Sequence, residues 1–264
     1  MPLNIVVPMA GRGSRFQEAG YDLPKPLIPV HGRVPMIRVV IENLRPAQPH
    51  RFIFLCLQEH VERFGVDERL REWAPGCAVV PVDRVTEGAA CTVLLAKEYI
   101  TNDDPLMIAN SDQWVDADVN KYLAAMETEN ADGLIMTMWA DHPKWSYVRL
   151  DTETNAITEV VEKQVVSNEA TVGVYNFRHG RDFVNAAERM IARNLRVNGE
   201  FYVAPAYNEM ITDGKSLIFY NVGREYDGMY GMGIPSDLAH FEKFAVSQKA
   251  VHFAAETFPT SEER

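Results

Sequence analysis

Short apolar runs alternate with amphipathic stretches through the first half of this chain. Residues 4–7 are a β-branched run that stops at a Pro-Met-Ala-Gly turn, the pattern of a buried strand. Ile37, Val40, Ile41 and Leu44 recur at helical spacing and predict a helix over 35–44. Residues 51–57 (RFIFLCL) read as a second buried strand, 59–73 as a charged amphipathic helix and 78–82 as a third strand. A helix over 89–99 follows, then a fourth strand, 105–109 (PLMIA), ending at Asn110-Ser111-Asp112. This alternation predicts an α/β fold with a doubly wound, mostly parallel sheet. Such sheets bind ligands outside the carboxyl ends of their strands. Residues 11–15 and Asp112 both fall at such ends.

The second half changes character. Residues 133–139, 147–150, 157–161 and 170–177 read as strands joined by short turns, which predicts more antiparallel pairing. Helices are expected over 181–193 and 205–212. The stretch from about residue 247, ending Thr260-Ser261-Glu262-Glu263-Arg264, is expected to fray. Internal repeats, low-complexity tracts and long linkers are absent from the sequence.

Charge alters this picture locally. The net charge of −11 argues against nucleic acid as a partner, because binding its backbone needs a basic face. Within residues 1–40, however, Arg12, Arg15, Lys25, Arg33 and Arg38 outnumber Glu18 and Asp22, giving a local +3 around a glycine-rich segment. That is the composition of a small anion site. The three cysteines (Cys56, Cys77, Cys91) are widely spaced and form no CxxC, which suits a reducing cytosol and neither a disulfide framework nor a zinc site. No stretch approaches the roughly 20 apolar residues of a membrane span. The opening residues lack a basic n-region, so a cytoplasmic protein without signal peptide or membrane association is expected.

The candidate chemistry starts at Ala10-Gly11-Arg12-Gly13-Ser14-Arg15-Phe16, followed by Pro24-Lys25-Pro26. Glycines after a first strand let backbone amides approach phosphate oxygens. A dinucleotide fingerprint wants a third small residue where this chain has Phe16. A Walker loop wants G-K-[ST], which is missing. With Gly11-x-Gly13-Ser14-Arg15 followed by Pro24-Lys25-Pro26, the chain resembles the sugar-phosphate nucleotidyltransferase family. The resemblance continues in order through Thr86-Glu87-Gly88, Asn110-Ser111-Asp112, Glu162-Lys163, the strand around Gly173 and Gly199-Glu200-Phe201-Tyr202.

That resemblance implies a sheet of nucleotide-diphospho-sugar transferase type with a smaller antiparallel portion that binds the acceptor. It implies one domain over 1–245, with an NTP-binding part over about 1–115, an acceptor-binding part over about 116–245, and a tail over 246–264. Arg15, Lys25 and Asp112 would be catalytic, with Asp112 binding Mg²⁺. Ala10, Gly11, Gly13, Ser14, Glu87 and Gly88 would hold the nucleotide. Ser146, Glu162, Lys163 and Gly173 would face the acceptor. The expected partners are an NTP (CTP, UTP or dTTP) and a phosphorylated small molecule, with a homodimer or higher homo-oligomer left open. The expected product is an NDP-sugar or similar activated precursor for surface polysaccharide.

Two departures bear on the substrate. Trp145-Ser146-Tyr147 stands where the family often has Tyr-Gly, and a serine would crowd a pyranose. The family's D-x-G-T-P element reads Gly231-Met232-Gly233-Ile234-Pro235, with glycine at the aspartate position; either another carboxylate, such as the nearby Asp227, completes the metal site, or Asp112, phosphates and water hold the metal. These departures keep two alternatives in view: a cytidylyltransferase for a non-sugar phosphate or phosphonate, and a non-catalytic nucleotide-binding regulator. His31 and His142 read as turn residues.

Overall fold

Strand alternation sends successive side chains to opposite faces, and here both faces are buried. Leu3, Ile5, Val7 and Met9 of β1 (Leu3–Met9) enter one core while Val6 enters a second. The remaining strands in chain order are β2 (Pro29–Val30), β3 (Val34–Pro35), β4 (His50–Leu57), β5 (Ala78–Val82), β6 (Leu106–Ala109) and β7 (Gln113–Val115). They continue as β8 (Gly133–Trp139), β9 (Ser146–Leu150), β10 (Ile157–Glu162), β11 (Glu169–Phe177), β12 (Leu217–Glu225) and β13 (Gly228–Gly231). In β4, Phe52, Phe54 and Cys56 join the first core, and Ile53, Leu55 and Leu57 the second. A strand buried on both sides reads as a continuous apolar run, which is why these strands stand out in the sequence.

The computed structural model describes residues 1–257. Its main sheet runs β5-β4-β1-β6-β11-β8-β12-β13-β7, with the β9–β10 hairpin attached through β9 to β11; β2 and β3 form a separate hairpin. β5, β4, β1 and β6 are parallel neighbours, and β11 lies antiparallel to β6 and β8. The fold is thus α/β, with a large, mixed, doubly wound sheet and a smaller antiparallel portion at β9–β11. Helices Met36–Leu44, Val119–Thr128, Pro235–Phe241 and Ala245–Thr257 cover the first core; Ala89–Leu94, Gly180–Ala192 and Tyr207–Thr212 cover the second. Among the described residues no helix is long and apolar enough to cross a membrane.

Three expectations need correction. The helix predicted over 59–73 is two helices, Gln58–Phe64 and Val66–Trp73, because Gly65 adopts φ 58° between them. The helix predicted over 89–99 likewise divides into Ala89–Leu94 and Lys97–Ile100. The stretch expected to fray from residue 247 belongs to the helix Ala245–Thr257. Burial of Val251 and Ala254 in the first core holds that helix in place. The last residues of the expected tail, 258–264, lie outside the described residues.

The chain leaves β1 toward β4 and β5 on one side, then returns to place β6 on the other. The order therefore reverses between β1 and β6, and a crevice opens outside their carboxyl ends. The glycine-rich turn and Asp112 follow directly from those two strand ends.

Candidate active site

Gly13 is where the two N-terminal segments meet. Its φ of 65° is left-handed, the region where a side chain costs most and glycine least. A Cβ there would stand 2.9 Å from the Lys25 Cβ. Pro24 and Pro26 flank Lys25, which begins the single 3₁₀ turn Lys25–Leu27, and Pro26 is buried. Fixed φ at the prolines and the close approach at Gly13 aim the lysine stem into the crevice. Its Nζ is ion-paired with Asp112 Oδ2 across 87 residues of sequence. Pro8, Met9, Gly11, Gly13, Lys25, Pro26, Asn110, Ser111 and Asp112 line this cleft. The expected catalytic lysine and aspartate are thus brought together.

Arg15 lies in the short helix Ser14–Glu18 and is exposed. Its charge acts on the carboxyl of Asp237, as do those of Lys144, Glu225 and Asp112. Burial is the largest influence on Asp237 and pushes its pKa up; Glu225 and Asp112 add to this, whereas Lys144 and Arg15 oppose it. Asp237 was not among the expected site residues. It sits two positions after Pro235 in the first turn of Pro235–Phe241, so in sequence it reads as an ordinary acidic helix start. Asp227, the carboxylate considered for this role, is exposed and precedes Gly228, the opposite end of β13 from Gly231. At about 3.3 Å per residue, four residues set it roughly 13 Å along the strand from Gly231.

The acceptor-side residues group separately. Ser146 Oγ donates to Glu162 Oε2. Burial raises the Glu162 pKa, the Ser146 hydrogen bond and Lys163 lower it, and Glu200 raises it. Lys163 takes a left-handed φ of 56°, and its N–H donates to the Trp145 carbonyl at 3.0 Å. Its Nζ donates to the Tyr202 hydroxyl at 2.6 Å and lies 4.6 Å from that ring's centroid. That hydrogen bond is the main reason the lysine pKa is raised. Gly173, at φ 81°, stands where a Cβ would overlap the Asn110 side-chain amide, and its carbonyl accepts the Asn110 N–H at 3.0 Å. The room beside this glycine is taken by the loop that carries Asp112, so β11 ties the two groups together.

Glu87 and Gly88 lie outside the lining of the Lys25–Asp112 cleft. Glu87 pairs with Arg196 at 2.5 Å, and its carbonyl accepts the Phe201 N–H at 2.8 Å. Gly88 has φ 133°, and a Cβ there would meet the Phe201 backbone nitrogen at 2.6 Å. The 86–90 loop is therefore built against residues 199–203. Thr86 Oγ1 closes it by donating to the Gly88 carbonyl at 2.9 Å. Ala10 is buried, and Ser14 is exposed at the start of its helix.

Among the described residues no group of three or more His, Cys, Asp or Glu side chains has the arrangement of a metal cage. Magnesium bound through one or two carboxylates and substrate phosphates needs no such cage. The partly exposed Asp112 carboxylate on the cleft wall fits that mode of binding.

Comparison with known proteins bears on the family and the fold. The model of the nucleotidyl transferase family matches residues 5–197. The chain is 24% identical over 185 residues to the bifunctional protein GlmU of Methanocaldococcus jannaschii; the match covers 66% of this chain and 40% of that protein, so the chain spans less than half its relative's length. Among solved structures, it is similar to the nucleoside-diphosphate-sugar pyrophosphorylase of Vibrio cholerae RC9, with TM-score 0.77 and 23% identity over 91% of this chain and 100% of that one. It is also similar to the inositol-1-phosphate CTP transferase of T. maritima, with TM-score 0.72 and 13% identity over 97% and 98% of the two chains. The matched stretch contains the glycine turn, Lys25, Asp112 and the Glu162-Lys163 pair, and by this match the chain belongs to the nucleotidyl transferase family.

Proposed function

We propose that this chain transfers a nucleoside monophosphate from an NTP to a phosphorylated small molecule, releasing pyrophosphate. The observation that carries this reading is the Lys25–Asp112 pair, which joins two chain segments at the switch point of a doubly wound sheet. Transfers of this kind proceed by in-line displacement, in which positioning and charge neutralisation dominate. A phosphate monoester has its second pKa near 6, so roughly nine-tenths of it is dianion at pH 7. The nucleophile needs no general base, which explains a cleft without histidine.

Backbone amides of residues 10–14 and the Lys25 ammonium receive the triphosphate, and Arg15, on the helix that follows the turn, adds a second cation. Lys163 holds the acceptor phosphate as it attacks the α-phosphorus. Lys25 and Arg15 then stabilise the charge that moves onto the leaving pyrophosphate. Asp112 would hold Mg²⁺, which supplies charge neutralisation to the phosphates. A cytoplasmic sugar 1-phosphate is the acceptor that best suits the family, its product an NDP-sugar for surface polysaccharide.

A screen of pyrophosphate release that crosses CTP, UTP, dTTP, GTP and ATP with sugar 1-phosphates and small phosphate esters tests the reading. Release is expected for at least one pair and should require both the acceptor and a divalent cation. Tight NTP binding with no release from any pair would favour a regulator instead. The hydrogen bond from Ser146 to Glu162 supports a second reading, in which the acceptor is a non-sugar phosphate or phosphonate and the nucleotide is CTP. That polar pair occupies space that glycine would leave for a pyranose. Turnover of CTP with phosphate esters and not with hexose 1-phosphates would select it.

A further inference from the structure

β13 ends at Gly231, which pairs with Gln113 of β7; beyond it the Met232 N–H donates to the Asp112 carbonyl at 2.8 Å. Met232 is fully buried in the first core. The glycines on either side of it face carboxylates. A Cβ on Gly233 would lie 2.9 Å from Asp112 Oδ2 and 4.0 Å from Lys25 Nζ, and a Cβ on Gly231 would lie 3.8 Å from Asp237 Oδ2. Asp112 and Asp237 thus each lie against the same three-residue segment, Gly231–Gly233, and the Asp112 charge acts on the Asp237 carboxyl. Asp237 is partly buried, and its carboxylate makes no hydrogen bond or ion pair among the described residues. A partly buried acid without a partner carries a desolvation cost that a ligand can relieve.

We infer that Asp237, carried by the helix Pro235–Phe241, is the second carboxylate of the divalent-cation site and acts with Asp112. It delivers from the helix the charge that Gly231 cannot deliver from the strand. This inference rests on the nucleotidyltransferase reading. It explains why the strand end tolerates glycine at both 231 and 233. Those positions leave open space for two carboxylates that reach in from neighbouring elements, and a side chain at 233 would press on Asp112.

The test is Mn²⁺ binding, followed by the loss of the free-ion EPR signal, to enzyme saturated with a non-hydrolysable NTP analogue. Asp237→Asn should weaken Mn²⁺ affinity by about tenfold or more, while analogue binding without metal and the melting temperature stay at wild-type values. Asp227→Asn should bind Mn²⁺ as wild type does. Gly231→Asp combined with Asp237→Asn should recover much of the lost affinity, because the two positions serve one spot. Wild-type Mn²⁺ affinity in Asp237→Asn would overturn the inference. So would an equal loss of analogue binding without metal, since that marks a role through the charges of Arg15 and Lys144. If wild-type enzyme takes up no Mn²⁺ with any NTP analogue, the nucleotidyltransferase reading itself fails, a result distinct from wild-type binding that Asp237→Asn leaves unchanged.

Discussion

Two side chains carry the sharpest residue-level expectations. Lys25 is partly exposed, and its ammonium makes one charged contact across the cleft, so truncating it removes charge from the site and little packing. Lys25→Ala should lower kcat by on the order of 10²–10³ and shift Tm very little; steady-state kinetics beside a thermal melt would show both. Wild-type turnover in that variant would remove Lys25 from the mechanism. Glu162 differs, because burial raises its pKa above the ordinary 4.5. A carboxyl whose folded pKa is raised favours the folded state when protonated, and that contribution is lost as pH rises through the folded value. Glu162→Gln cannot ionise, so its stability should match wild type below about pH 4.5 and gain on it as pH climbs above that value. Melting curves of both proteins between pH 4 and 8 would show a gap that opens upward. A gap that instead opens in favour of wild type as pH rises would mean that the Ser146 and Lys163 contacts outweigh burial.

At the scale of elements, the cleft depends on strands that approach more closely than a side chain would allow. Gly173 combines a left-handed φ of 81° with an Asn110 amide occupying the position of its missing Cβ. Gly173→Ala should therefore cost at least about 1–2 kcal/mol from backbone conformation alone, measurable by urea denaturation. It should also impair turnover, since the displaced loop carries Asp112. How much of this was legible follows from burial. β1, β4, β5 and β6 are apolar runs in the parallel part of the sheet and could be read directly. β12 (LIFYNVGRE) is buried only in part and mixes polar with apolar positions, so no period marks it, and residues 213–245 received no predicted element. β7 has three residues, too few for any pattern. The helix Ala245–Thr257 reads as a tail in sequence because its partner, Met36–Leu44, lies two hundred residues away and supplies the burial that propensity alone does not. Gly13 and Lys25 were legible as a pair because the distance between them is short and prolines mark it. Asp237 was not, because only the folded path places it beside a glycine six residues earlier.

For the molecule as a whole, the question is which field an incoming triphosphate feels. The chain carries −11 in total, but its first forty residues hold five basic against two acidic side chains. Arg15 is exposed on the short helix after the glycine turn, Lys25 enters the cleft, and Arg12 lines the adjoining surface. At an ionic strength of 0.1 M charges act over about 10 Å, so charges close to the cleft count for more than the acidic surface farther away. If the local cations dominate, NTP affinity at fixed Mg²⁺ should weaken as salt rises from about 0.1 to about 1 M, where the range falls to about 3 Å. If the acidic body dominated, added salt would relieve repulsion and tighten binding. Calorimetric titration across that range, with wild type and Arg12→Ala/Arg15→Ala, separates the two. The wild-type affinity should fall with salt, and the double variant should bind more weakly at low salt and show a flatter dependence. A rising affinity in wild type would mean that the cleft's selectivity for a triphosphate rests on backbone amides and bound cation, with the surrounding arginines contributing nothing to capture.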